Sequence, residues 1–82
     1  MSDLTKEEIE IIKESIPKRI GMNIKKYRIQ KGIKQSELAA MIQSDRQYQY
    51  KIESGIVGIS VVKLALIAAA LDVSISELVC ID

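Results

Sequence analysis

Arg46, Gln47, Tyr50 and Lys51 are the residues whose types and spacing carry chemistry in this chain. On one helix they share an outward face, because positions three or four apart stack along the same side. Arginine and lysine present donors suited to guanine, glutamine matches the donor and acceptor edge of adenine, and lysine also meets phosphate. The chemistry implied is hydrogen bonding to base edges in a major groove, not bond making. Catalysis has little to draw on. The 82 residues include no histidine, so the commonest general base and metal ligand is missing. The one cysteine, Cys80, can form neither an internal disulfide nor a Cys-rich metal site. No catalytic residue, metal or cofactor is therefore expected.

That face needs a helix of its own and a neighbour to hold it. A helix from about Asp45 to Ser54, capped by Ser44 or Asp45 and stopped by Gly55, supplies the first. A short helix from Gln35 to Ile42 precedes it, burying Leu38, Ala39 and Ile42, with Gln43-Ser44 as the turn between the two. Ala39 is small, as a close crossing requires, and Ile52 completes the shared apolar contact. Upstream, Thr5 caps a helix, Glu8 closes its capping box, and Leu4 can staple onto Ile9. Ile9, Ile12 and Ile16 share one side of it, and Pro17 is expected to end it and open the next. That next helix runs to Lys31, buries Ile20, Ile24 and Tyr27, and is capped by Gly32. Downstream, Ser60 caps a helix to Leu71 with Leu64, Ile67, Ala68 and Leu71 inward. Ser74 and Glu77 form a second capping box before Leu78 and Val79. No strand period is present. The expected architecture is all-α, with a helical extension at residues 1–16 and a DNA-binding body at 17–82.

The net charge of +1 hides an uneven distribution. Two basic and five acidic residues fall between positions 1 and 16, nine and three between 17 and 55, and one and three from 56 onward. A basic middle of this kind can present one electropositive face to a polyanion. The acidic N-terminus has no apolar run of signal-peptide length, and the longest apolar stretch, Val61 to Leu71, is broken by Lys63. A cytoplasmic protein without a membrane span is expected.

Four segments taken together resemble the repressor-type helix-turn-helix family of phage repressors, Cro proteins and restriction-modification controller proteins. They are Ile24 to Gly32, Gln35-Ser36-Glu37-Leu38-Ala39, Lys51-Ile52-Glu53-Ser54-Gly55 and Ala69 to Leu78, in the family's order and spacing. The resemblance spans residues 20–79. It implies a five-helix domain, here preceded by an additional N-terminal helix, whose third helix enters the major groove. It also implies that Arg28 and Glu53 form a structural ion pair and that Gln35 touches a phosphate. The family often places basic residues after the recognition helix, where this chain reads Ile56-Val57-Gly58-Ile59. Phosphate contacts then fall to Lys34, Ser54 and Lys25 beside Gln35, and the salt dependence should be shallow.

The turn departs from the family pattern as well. Gln43 stands where glycine usually adopts a left-handed conformation, which predicts a reshaped turn. Ser44 and Gln49 stand where apolar residues usually meet, which predicts either a polar pair between them or a tyrosine, Tyr48 or Tyr50, turned in to fill the volume. The helix to Leu71 is apolar nearly all round, so surplus surface must be covered by the N-terminal helix, a second subunit, or both. A two-fold interface from Val62, Leu66, Ile75, Leu78, Val79 and Ile81 is expected, giving a homodimer on a near-palindromic operator. The competing reading is a protein-interaction module or antitoxin that has kept the scaffold with weak or no DNA binding, meeting a protein antagonist or toxin partner.

Overall fold

The computed structural model describes residues 3–80 and contains five helices among them, with no strand: α1 (Lys6–Gln30), α2 (Gln35–Met41), α3 (Arg46–Ser54), α4 (Val61–Leu71) and α5 (Ile75–Leu78). The starts are set by local hydrogen bonds. Thr5 Oγ1 accepts from the Glu8 N–H at 3.1 Å while Glu8 Oε1 accepts from the Thr5 N–H at 2.8 Å. Ser74 and Glu77 repeat the arrangement at 3.2 and 3.1 Å. Backbone N–H donation to each carboxylate, reinforced by the capping hydroxyl, holds Glu8 and Glu77 below the usual carboxylate range. Asp45 rather than Ser44 caps α3, accepting from the Gln47 N–H at 2.7 Å, and Ser60 caps α4.

The ends of α1 to α4 share one device. At Gly32, Gln43, Gly55 and Asp72 the chain turns through positive φ, and two N–H groups close back onto the last turn. At Gln43 they are Gln43 N to Ala40 O (3.2 Å) and Ser44 N to Ala39 O (2.8 Å). The expected reshaping of this turn does not occur. Gln43 keeps the left-handed conformation at φ +53°, its side chain exposed, and accepts a strain of about 1 kcal/mol.

Pro17 does not end a helix; it lies inside α1, which runs unbroken for 25 residues. The expected boundary between an extension and a first domain helix is therefore absent as a break. Proline removes one N–H and leaves the Lys13 carbonyl without its helical donor. Lys13 is exposed, so water can reach that carbonyl, and Ser15-Ile16-Pro17-Lys18 holds no glycine with which to turn. At about 1.5 Å per residue, α1 alone spans most of the 43 Å long axis.

The core draws one fully buried aliphatic side chain from each helix: Ile24, Leu38, Ile52, Ile67 and Leu78. Each contributes about 1.5–3 kcal/mol by leaving water. Ile16 packs against this core, but Ile9 and Ile12 stay exposed, so the first turns of α1 stand off the body. α1 and α3 approach so closely at Gly21 that a Cβ there would lie 2.5 Å from the Ile52 carbonyl oxygen. Gly55 is doubly constrained: its φ is +73°, and a Cβ would lie 2.6 Å from the Cα of Lys18. These two glycines let the long helix seat directly on the end of α3.

Two expectations for the apolar surface need correcting. Leu78 is buried within the single chain and cannot serve a subunit interface. α5 is turned inward because Asn23 Nδ2 donates to the carbonyls of Leu78 (2.9 Å) and Cys80 (2.7 Å), tying the C-terminal turn to α1. The N-terminal part of α1 also leaves the outer side of α4 open, with Val61 76% and Val62 71% exposed. Leu66 and Ile75 are exposed, Val79 is half-buried against the core, and Ile81 lies outside the described residues.

Candidate nucleic-acid interface

α3 carries an outer face and an inner one. Arg46, Gln47, Tyr50 and Lys51 are all exposed, and together with Gln35 of α2 and Ile56 they line a shallow depression of about 420 Å³. The sequence-predicted base-reading residues are thus brought together on one surface. Lys34, Lys25 and Ser54 are exposed as well. The backbone N–H of Lys34 is held by Glu37 Oε1 at 2.9 Å, which fixes the entry to α2. The inner face of α3 carries Tyr48, Gln49, Ile52 and Glu53.

What fixes that face is a buried polar cluster around Glu53. Arg28 Nε donates to Glu53 Oε2 at 2.8 Å and Nη2 to Oε1 at 3.0 Å, a bidentate pair whose side chains are only 10% and 2% exposed. The third guanidinium nitrogen, Nη1, donates to the Ile33 carbonyl at 2.7 Å. Gln35 Nε2 adds a bond to Oε1 at 3.0 Å and Gln49 Nε2 one to Oε2 at 3.2 Å. One carboxylate therefore binds α1, the start of α2 and the inner side of α3 into a fixed relation. The Arg28–Glu53 pair forms as the resemblance implied.

Gln35 is half-buried, and one N–H of its amide is committed to Glu53, so its geometry is set from within the protein. Gln49 does not form the expected pair with Ser44. It is fully buried and turned to Glu53, and its Oε1 meets no hydrogen-bond donor among the described residues, an arrangement that costs about 1–3 kcal/mol. Of the two tyrosines, Tyr48 is the one turned in. It packs half-buried against the core with Lys63 Nζ 5.6 Å from its ring centroid, while Tyr50 stays outside at 57% exposure.

Sequence reasoning missed the donors from Gln35 and Gln49 to Glu53, the close approach at Gly21, and the place of Ile56 beside Arg46, Gln47, Tyr50 and Lys51. The bond from Gln35 and the approach at Gly21 depend on contacts between distant parts of the chain, whereas Gln49 and Glu53 lie one turn apart on α3 at a spacing the sequence displays. Ile56 had a local signal, an isoleucine directly after the glycine stop of α3.

Among the described residues no helix is long and apolar enough to cross a membrane. The helix-turn-helix family model matches residues 24–78. The control protein C.MunI of a Mycoplasma species is 41% identical over 61 residues, covering 73% of this chain and 82% of that protein. Among solved structures, the restriction-modification controller protein C.AhdI of Aeromonas hydrophila aligns with TM-score 0.73 and 32% identity, over 76% of this chain and 94% of its own. The hypothetical transcription factor NHTF of Neisseria aligns with TM-score 0.76 and 25% identity, over 96% of this chain and 84% of its own. With α2 and α3 joined through Gln43 as the paired helices, the chain belongs to the helix-turn-helix family of DNA-binding regulators.

Proposed function

We propose that this protein is a sequence-specific regulator of transcription that binds duplex DNA as a homodimer, with α3 in the major groove. The observation that carries this reading is the exposed set Arg46, Gln47, Tyr50 and Lys51, gathered round one depression and held from behind by the buried Arg28–Glu53 pair. A helix fixed in this way presents these side chains at set positions along a groove, so the backbone that carries them needs no ordering when they meet base edges. Lys34, Lys25, Ser54 and the second amide N–H of Gln35 take phosphates. Residues from 17 onward act as the DNA-binding unit, and the part of α1 before Pro17 is a helical extension continuous with it. Regulation of bacterial DNA places the protein in the cytoplasm, where it acts by occupancy rather than catalysis.

Dimerisation is assigned to the outer side of α4, where Val62, Leu66 and Ala69 fall on one exposed line, with Ile75 and the exposed part of Val79 beside it. Two-fold symmetry about that line presents two recognition helices to half-sites one helical turn apart, hence a near-palindromic operator. The test is footprinting on the DNA upstream of its own gene across a range of salt concentrations. Two symmetric protected half-sites are expected. Absence of protection at low salt would instead favour the interaction-module reading, with the apolar side of α4 meeting a protein antagonist or toxin.

A further inference from the structure

Ile56 is the apolar member of the recognition face. It is 66% exposed, yet it lines the same depression as Gln35, Arg46, Gln47, Tyr50 and Lys51. Its backbone is fixed: the Ile56 N–H donates to the Lys51 carbonyl at 3.0 Å, the outer bond of the closure around Gly55. An apolar residue at this place in such a closure commonly packs back on the third residue from the helix end, here Lys51. Ile56 leaves most of its surface open even so, and packing does not account for it. Its branched β-carbon also restricts χ1, so little freedom is lost when it meets a partner.

The neighbours of Ile56 are hydrogen-bonding groups, which distinguish bases by donors and acceptors. An aliphatic group among them can distinguish bases only by apolar contact, and in a major groove the apolar group on offer is the C5-methyl of thymine. We infer that Ile56 is a specificity-determining residue that reads the C5-methyl group of a thymine at the edge of each half-site. The inference rests on the DNA-binding reading of this face. A basic residue at position 56 would add affinity for every sequence. Isoleucine adds it only where a methyl group is present, so it exchanges general attraction for selectivity.

The test uses the full chain and a duplex that it enriches from a randomised pool, with affinity read by fluorescence anisotropy. Thymines are replaced one at a time by deoxyuridine, which keeps every hydrogen-bonding group and removes only the methyl. For the wild-type protein, replacement at one position in the half-site should weaken binding about three- to tenfold. Ile56→Ala should weaken binding to the thymine duplex by a similar factor and be indifferent to the replacement, while Ile56→Val retains most of the discrimination. A wild-type protein indifferent to deoxyuridine at every position overturns the inference. So does an Ile56→Ala loss that is equal on both duplexes, which would mark a structural role. A pool that yields no enriched duplex overturns the DNA-binding reading itself and the inference with it.

Discussion

Replacing Arg28 by methionine removes the guanidinium while keeping much of the side chain's apolar length. Glu53, buried at 6% exposure, would then be left with two neutral amide donors in place of a bidentate cation. The Ile33 carbonyl would lose its donor as well. Stranding one partner of a buried pair costs about 3–5 kcal/mol. Solvent relieves little of it, since the two side chains are 10% and 2% exposed. A chain of this length has only about 4–12 kcal/mol of total stability to lose. Arg28→Met should therefore lower the melting temperature by more than about 12 °C. Thermal unfolding followed by far-UV circular dichroism measures that shift, and urea denaturation measures the loss of free energy. In the double variant Arg28→Met with Glu53→Met no charge is stranded. The largest remaining cost is the buried amide of Gln49, deprived of its acceptor, about 1–3 kcal/mol, beside smaller ones at the half-buried Gln35 amide and Ile33 carbonyl, which also lose their partners. The double variant should be more stable than the sum of the single losses by about 2 kcal/mol or more. Additive losses, or a single Arg28→Met loss below about 1 kcal/mol, would refute the claim that this pair locks α3 in place.

Three further outcomes follow from the same geometry. Gln43→Gly relieves the left-handed strain in the turn and should raise stability by about 0.5–1 kcal/mol in the same denaturation assay, with α3 unmoved. Lys34→Ala should weaken binding to all duplexes by a similar factor and reduce the slope of log affinity against log salt by about one, as expected for one lost phosphate contact. Leu66→Asp places a charge on the exposed line of α4 and should convert a dimer to monomer by sedimentation, while far-UV circular dichroism stays unchanged because Leu66 is 44% exposed in the single chain.

Much of this fold was legible in the sequence because its starts and stops are local. A capping box, or a glycine at the end of a helix, is decided by residues a few positions apart, so Thr5–Glu8, Ser74–Glu77, Gly32 and Gly55 could be placed without knowing the fold. Pro17 misled because the usual rule treats proline as an end, whereas the carbonyl it frees belongs to the exposed Lys13, where water can reach it. Leu78 misled for a different reason. It belongs to a surplus of C-terminal apolar residues, and its burial in the core, held by the bonds from Asn23 more than fifty positions away, depends on the fold and not on local spacing. That Arg46, Gln47, Tyr50 and Lys51 share one exposed face was legible from their spacing on α3. The buried side of that helix was not, because the polar types at Ser44 and Gln49 suggest a pair with each other, whereas Gln49 turns to Glu53, the carboxylate that Arg28 already holds. The long-range approach of α1 at Gly21 leaves no mark in the sequence beyond the glycine itself.

The central claim is that α3 reads bases through Arg46 and Gln47. The most direct measurement is the ratio of affinities for the footprinted duplex and a scrambled duplex of equal length, at fixed salt, for the wild-type protein and for Arg46→Ala and Gln47→Ala. Each substitution should cost about 1–3 kcal/mol on the footprinted duplex and much less on the scrambled one, so the ratio falls. An unchanged ratio, with both duplexes losing affinity together, would contradict the account and reduce these side chains to contacts with the phosphate backbone.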